Sequence, residues 1–342
     1  MRLRLVYVRA LLVAAALAPA LSDVAPAQDA AAFYRGKTIN LIVGFNPGGG
    51  ADAYTRLLAR HLGRHIAGNP TIVVRNMQGA GSVIAANYIF NISPKDGLEI
   101  GLFAGNIVID PLIGGTQHKY DARAFSWIGA PSSDSNVCVA SPRTTFKTID
   151  DVLQREMITG TSGTSTLDFP LTLNNVIGTK FKLVKGYAGS AAMRLALERG
   201  EIEGFCGVGY YSMRTAGLLT PDKANVLVQI GLSKHPEMPN VPFVFDYAKS
   251  EEDRQIFTLV FGWLDLVRPV AAPPGTPIER VQALRDGFDR AMKDPALLAD
   301  ADKIDVGIKP MTGAAIAKFV DDASRTPPAV TARAARILGR VK

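Results

Sequence analysis

The chain of 342 residues is 47% hydrophobic and 20% charged, and it carries a formal net charge of +7. This composition can supply a full hydrophobic core, which excludes a disordered or low-complexity chain. The basic residues are scattered, without a run of five or more, and this argues against a nucleic-acid partner.

The N-terminus has three arginines, then a short apolar run, then the small residues Ala25 and Ala27. A basic start, an apolar centre and an A-x-A pattern are typical of a secretory signal peptide. The apolar run is shorter than the roughly 20 residues needed to span a bilayer, which favours cleavage over a retained anchor. We predict that residues 1–27 are a signal peptide, that the mature chain begins at Gln28, and that it is periplasmic. The 315 residues that remain (342 less 27) exceed one typical domain and predict two.

The first third of the mature chain alternates between apolar runs and helical spacing. Segments 38–45, 71–76 and 98–105 are rich in β-branched residues and leucine, as buried strands are. Glycine-rich turns and helical patterns separate them, which predicts a parallel α/β sheet. Segment 125–232 repeats strands and short helices and predicts a second α/β unit. The last third is helical by its spacing, with an interruption at Pro327 and Pro328.

The stretch FNPGGGAD at 45–52 follows the first predicted strand. It lacks the lysine of a phosphate-binding P-loop, because Gly50 stands there, and it lacks the third glycine of a dinucleotide fingerprint. A glycine turn before a helix still leaves free backbone N–H groups that favour a small anion. Asp52 falls in the first helical turn, where a capping role is favoured over ligand contact.

Two further loops repeat this arrangement, QGAGS at 78–82 and GTSGTST at 160–166. Loops at the carboxyl ends of adjacent parallel strands face one crevice, the usual ligand site of open α/β sheets. The third loop is not a nucleophile elbow, because Thr164 stands where glycine is required. These loops indicate an anion-binding crevice.

The reactive side chains form no recognisable catalytic or metal-binding set. Cys138 and Cys206 lack the C-x-x-C spacing of a redox or zinc motif, and they either pair in a disulfide or stay buried and free. His61 and His65 are four residues apart but lack the zinc-protease pattern. We therefore predict binding without a cofactor or a metal, rather than catalysis.

The motifs YRGKTINLIVGFNPGGGADAYTRLLARHL, IVVRNMQGAGSVIAANYIFNISPKDGLEIGL, GYAGS and APPGTP, taken together, resemble the substrate-binding proteins of tripartite tricarboxylate transporters, the Bug family of extracytoplasmic solute receptors. The resemblance runs from Tyr34 nearly to the C-terminus. It implies a two-domain Venus-flytrap fold of the α/β class, each domain a mostly parallel sheet flanked by helices. Domain I would comprise 33–131 and 261–342 and domain II would comprise 132–260.

The family's function is to bind a small organic carboxylate in the interdomain cleft, as a monomer, and to deliver it to the membrane subunits of the transporter. The resemblance places the first-domain ligand contacts at Phe45, Pro47, Gly48, Gly49, Asp52, Gly79, Ala80, Gly81 and Ser82. It places the second-domain contacts at Thr161, Ser162, Thr164, Thr166, Tyr187, Gly189, Ser190, Ala191, Gly207 and Tyr210.

Three positions depart from the family pattern, namely Ala51, Ala196 and Phe243, so the identity of the ligand does not carry over. A ligand-sensing or scaffold module that uses the same cleft is one alternative, and an α/β enzyme is another. We also predict that the first loop binds a carboxylate through backbone N–H groups. Replacing Gly49 with valine would then weaken binding strongly, whereas Arg56→Ala would change the affinity by less than about tenfold.

Overall fold

The computed structural model describes residues 30–48, 50–114 and 117–340. Its strands form two separate sheets. The first is six-stranded, in the order β11-β4-β10-β3-β1-β2. Its strands are β1 (Thr38–Val43), β2 (Thr71–Asn76), β3 (Glu99–Leu102), β4 (Ser126–Ala130), β10 (Val270–Ala272) and β11 (Met311–Thr312).

The second sheet is five-stranded, in the order β7-β6-β8-β5-β9. Its strands are β5 (Asn136–Ala140), β6 (Met157–Gly160), β7 (Phe181–Val184), β8 (Gly204–Gly209) and β9 (Asn225–Ile230). The helices that flank the two sheets are α1 (Gly50–Leu62), α2 (Val83–Asn91), α3 (Ile149–Gln154), α4 (Thr164–Val176), α5 (Ser190–Arg199), α6 (Tyr210–Thr215), α7 (Glu251–Phe261), α8 (Ile278–Ala291), α9 (Pro295–Lys303), α10 (Gly313–Ser324) and α11 (Pro328–Ile337).

The predicted α/β fold class is confirmed, but both sheets are mixed rather than mostly parallel. Strand β1 runs parallel to β2 and β3, whereas β10 is antiparallel to β3 and β4. In the second sheet β5 is antiparallel to both β8 and β9. The reason is topological: β5 and β10 each directly follow a crossing between the sheets and enter from the opposite side.

The chain passes between the two sheets at 131–135 and again at 262–269. These crossings touch, because Ser132 and Val267 form an isolated antiparallel bridge. The strands of the first sheet fall within 38–130 and 270–312, and those of the second within 136–230. The domain boundaries at 131/132 and 260/261 stay predictions, and the strands lie on either side of them.

Local sequence signals explain several element ends. Helix α3 begins after Thr148, in a capping-box sequence pattern in which the Asp151 carboxylate accepts the backbone N–H of Thr148 at 3.0 Å. The predicted interruption at Pro327 and Pro328 separates α10 from α11. The predicted signal peptide lies outside the described residues. Among the residues that the structure does describe, no helix combines the length and the apolar run that crossing a membrane requires.

Cys138 and Cys206 face each other on the neighbouring strands β5 and β8. Their sulfurs are bonded to each other in the structure. The two strands that they join carry the first crossing at one end of β5 and the start of α6 at the end of β8. The bond therefore ties together the two backbone segments that lead into the space between the sheets.

Candidate functional site

The first glycine loop is held together by a buried carboxylate. Asp52 accepts hydrogen bonds from the backbone N–H of Gly48 at 2.9 Å, from Arg56 Nε at 2.8 Å and from Asn76 Nδ2 at 2.9 Å. Asn76 Nδ2 also donates to the carbonyl of Phe45. These donors, Arg56 first, lower the pKa of Asp52 to about 2. The carboxylate thus builds the loop, and its three hydrogen bonds occupy most of its roughly four acceptor positions.

Two further residues of this loop, Pro47 and Gly48, are exposed, and Gly48 has a φ of +78° that suits glycine. Gly49, whose replacement by valine is predicted to weaken binding, lies outside the described residues. Gly50 begins α1, so its N–H belongs to the first turn, where backbone donors lack intrahelical acceptors.

The second glycine loop has an unusual backbone. Positive φ angles occur at Gly79 (135°), Ala80 (47°), Gly81 (62°) and Ser82 (76°). Ala80 and Ser82 carry a Cβ, so this conformation costs free energy that other contacts must offset. The buried hydroxyl of Ser82 offsets part of that cost, because it donates to the carbonyl of Gly44 at 2.9 Å and accepts the N–H of Ala104 at 3.1 Å. These two bonds join the second glycine loop to the ends of β1 and β3, and the ligand contact of Ser82 stays a prediction.

The third glycine loop is capped by its own threonine. Thr166 Oγ1 accepts the backbone N–H groups of Ser162 at 2.8 Å and Gly163 at 2.9 Å, and it is buried. Thr161 is buried too, and its N–H donates to the carbonyl of Val184. Four predicted contacts, Thr161, Ser162, Thr164 and Tyr187, do come together on the wall of one cavity of about 520 Å³. We name this the tail cavity, because Arg340 near the C-terminus closes it.

Arg340 in the tail cavity is fully engaged by acids. It donates to Asp110 at 2.7 Å and to Asp168 on the far side. Burial raises the pKa of Asp168 to about 6, against the opposing effect of Arg340. The cation therefore balances two partly buried carboxylates and fastens the C-terminal segment to α4.

The other second-domain predictions are dispersed. Gly189, Ser190 and Ala191 form the start of α5 and line neither the tail cavity nor the cleft cavity described below. Gly207 has a φ of +81°, and a Cβ on it would lie 2.3 Å from the carbonyl oxygen of Ser165, so only glycine fits. The absence of a Cβ at Gly207 lets β8 lie close to Ser165, the second residue of α4.

Tyr210 does not line the cleft cavity, and its ligand contact stays a prediction. Its hydroxyl donates to Glu237 at 2.8 Å, its ring lies 4.1 Å from that of His235, and the side chain is buried in an apolar cluster with residues of β5 and β8. The next residue, Tyr211, lines the space between the sheets instead. The two tyrosines differ because α6 begins at Tyr210 and turns successive side chains by about 100°.

A second cavity, of about 460 Å³, lies between the two halves of the chain. We name it the cleft cavity. Its walls come from the start of α1 (Gly50 and Tyr54), from α6 (Tyr211) and from both crossings (Asp134 and Arg268). Apart from Gly50, which falls inside the first glycine loop, none of these residues was predicted from the sequence, because neither crossing carries a recognisable motif.

Arg268 stands on the second crossing. Its guanidinium lies 4.0 Å from the centre of the Tyr54 ring, and Nη1 donates to Ser132 Oγ at 3.0 Å. The Nε atom is shielded from solvent and has no hydrogen-bond partner within the described part of the chain. The backbone φ of Arg268 is +66°, in the region where an L-residue is strained. Burial lowers the pKa of this arginine.

Asp134 stands on the first crossing, directly before β5. It accepts the backbone N–H of Ser135 at 2.8 Å. Burial raises the pKa of Asp134 to about 6, although the positive charge of Arg268 opposes that shift. Two opposite charges thus face one cavity, one from each crossing.

Comparisons with known proteins agree on the fold. No family model matches the sequence. A UPF0065 protein encoded in the tcbD-tcbE intergenic region of Pseudomonas sp. (strain P51) is 24% identical over 292 residues, which is 81% of this chain and 80% of the relative. A TctC solute-binding protein from Polaromonas superposes with a TM-score of 0.69 at 20% identity, over 90% of this chain and all of that one.

The R. palustris protein Rpa4515, solved with adipate, superposes with a TM-score of 0.63 at 19% identity and covers 89% of this chain and 97% of its own. The two mixed sheets of this chain, with their flanking helices, thus superpose on a solved solute-binding protein over most of the chain. The chain therefore has the fold of periplasmic solute-binding proteins.

Proposed function

We propose that the chain is an extracytoplasmic receptor of the Bug type, which captures a small organic carboxylate between its two domains and delivers it to a tripartite tricarboxylate-type transporter. The observation that carries this proposal is the cleft cavity, whose walls come from α1, α6 and both crossings. A cavity between two domains is where a solute-binding protein of this architecture encloses its ligand.

The chemistry of the cavity supports an acidic ligand. Arg268 offers donors to a carboxylate, and the start of α1 contributes free backbone N–H groups at the positive end of a helix. The named ligand of one structural neighbour, adipate, is such an acid. The solute-binding proteins among the neighbours also favour a receptor over an enzyme.

Thermal unfolding with a panel of small organic acids, amino acids included, tests the receptor role. An acid present at 100 times its dissociation constant adds about 2.7 kcal/mol to the free energy of unfolding. Stabilisation by one acid or a few related acids is expected, and NMR should show that acid unchanged after overnight incubation. A panel without any stabilising acid would contradict a receptor, and conversion of the acid would favour the enzyme alternative.

Delivery and export have separate tests. Deleting the gene should abolish cellular uptake of the radiolabelled acid, whereas unchanged uptake would favour the sensing or scaffold alternative. Edman sequencing of the protein from the periplasmic fraction should begin at Gln28, or within a residue or two of it. An intact Met1 in that fraction would contradict the predicted cleavage.

A further inference from the structure

Two charged side chains of opposite sign face the cleft cavity, and each shifts the pKa of the other, but they form no close ion pair. Neither Arg268 nor Asp134 comes within 4.0 Å of an oppositely charged side-chain atom in the part of the chain that the structure describes. The other acid on the wall, Asp305, is already engaged by Arg214 at 3.1 Å and by Thr215 at 2.6 Å. Asp134 is therefore the carboxylate that remains available in this cavity.

An unpaired charge in a partly dry cavity is costly unless a ligand or another group completes its coordination. The planar fork of a guanidinium matches a carboxylate, and a carboxylate accepts hydrogen bonds from an ammonium group. Arg268 has the shielded, unpartnered Nε and sits on strained backbone, as ligand-binding residues often do.

Asp52, the acid of the first glycine loop, is engaged by three donors, two of which are the side chains of Arg56 and Asn76. Asp134 accepts the backbone N–H of Ser135 at 2.8 Å, and the backbone N–H groups of Tyr210 and Tyr211 also lower its pKa, but no side chain donates to it within the described residues. The walls between the two charges carry the rings of Tyr54 and Tyr211, which supply apolar surface for the body of a ligand.

We propose that the ligand of the cleft cavity is an amino acid, whose carboxylate binds Arg268 and whose ammonium group binds Asp134. The proposal rests on the receptor function proposed above and narrows its carboxylate to a zwitterion. Gly50 lines the same cavity, so the backbone donors of α1 and the guanidinium of Arg268 are available to one carboxylate.

Titration calorimetry at pH 7.5 with three matched pairs tests this assignment: L-glutamate and glutarate, L-phenylalanine and 3-phenylpropanoate, L-leucine and 4-methylpentanoate. Each pair differs by the amino group alone. We expect at least one amino acid to bind ten times more tightly than its partner, or better. Equal or tighter binding of the deaminated acids, or no binding by any of the three amino acids, would overturn the assignment.

Variants locate the two contacts. Asp134→Asn should weaken binding of the amino acid at least tenfold and leave binding of its deaminated partner unchanged or improved. Arg268→Gln should weaken binding of both members of a pair at least tenfold. An unchanged amino-acid affinity in either variant, with both proteins folded by thermal unfolding, would overturn the corresponding contact.

Matched controls separate a local role from a general loss of charge or stacking. Arg280 also covers an aromatic ring, Phe33 at 3.6 Å, and donates to the carbonyl of Asp96, so Arg280→Gln removes similar contacts outside the cavity. Asp246→Asn removes an exposed carboxylate. Both controls should bind like the parent. A parent protein that binds organic acids without preferring amino acids would end this inference and leave the receptor function standing.

Discussion

The tail cavity and the cleft cavity each contain an arginine and an acidic residue, yet the two sites differ in how those charges are used. In the tail cavity Arg340 bridges Asp110 and Asp168, so its charge is spent within the protein. In the cleft cavity Arg268 and Asp134 face the same space unpaired. The tail cavity, although predicted loop residues line it, is therefore a place where the protein binds its own segments together. The charges that remain available for a ligand lie on the two crossings.

Arg340→Met tests the structural side of this comparison. It leaves two largely buried carboxylates without their cation, which typically costs about 3–5 kcal/mol in the free energy of unfolding. Urea unfolding measures this loss, and ligand affinity in the folded variant should hardly change. A stable variant with abolished ligand binding would reverse the roles assigned to the two cavities.

The disulfide supports the cleft cavity, because it joins β5 and β8, the strands that adjoin the segments carrying Asp134 and Tyr211. Oxidised protein should show no titratable thiol after denaturation. Reduction should lower the free energy of unfolding by about 2–4 kcal/mol, chiefly because the unfolded chain loses its covalent loop. Thiol titration and urea unfolding with and without reductant measure both effects, and two free thiols in freshly isolated protein would contradict the pairing.

The pH dependence of amino-acid binding tests whether Asp134 of the cleft cavity contacts the ligand. With a pKa of about 6, Asp134 is ionised at pH 7.5 and mostly protonated at pH 5, so an ammonium group loses its acceptor as the pH falls. Amino-acid affinity should drop about tenfold over that interval, while a deaminated acid should bind no worse, because a nearby negative charge disappears. The titratable and charged side chains on the cavity wall are Tyr54, Asp134, Arg194, Tyr211, Arg268 and Asp305.

Calorimetry at the two pH values gives this result directly, provided that the ligand's own carboxylate stays ionised throughout. Asp134→Asn serves as the control and should bind the amino acid with little pH dependence. Amino-acid affinity that rises toward pH 5 in the parent would contradict the predicted contact with Asp134.

Arg56→Ala should have the smallest effect on affinity, below about tenfold, or roughly 1.4 kcal/mol. Arg56 is half exposed and binds Asp52, so it supports the first loop from outside the cavity. Titration calorimetry on Arg56→Ala and on Arg268→Gln compares the two losses of affinity. A larger loss in Arg56→Ala than in Arg268→Gln would show that the anion binds at Arg56, beside the first loop. The matching prediction for Gly49→Val stays open, since that residue is outside the described range.

Local sequence signals predicted much of the fold. Strand β2 has the predicted limits, and Thr148 begins α3, because a run of β-branched residues and a capping box act over a few residues. The direction of β10 was not predictable. This strand has three residues, and its pairing with β3 and β4 depends on contacts far away in the chain.

The candidate site was less predictable from the sequence, for the same physical reason. Asp52 is engaged partly by Asn76, 24 positions away, so no local pattern distinguishes a loop-building acid from a ligand-binding one. Arg268 and Asp134 are 134 positions apart and line one cavity only because the two crossings touch at Ser132 and Val267. Thr161, Ser162, Thr164 and Tyr187 share one wall of the tail cavity, and their contact with a ligand stays a prediction.

The place of β10 inside the first sheet also constrains the order in which the molecule can form. Strand β10 lies between β3 and β4, so this sheet cannot be continuous until residues 270–272 have joined strands that precede them by well over 100 positions. The second sheet needs only residues 136–230. Long-range pairing is slow, because loop-closure entropy must be overcome before the contacts form. During synthesis the second sheet can therefore assemble first. The earlier-made strands of the first sheet cannot form a continuous sheet until residues 270–272 have been synthesised.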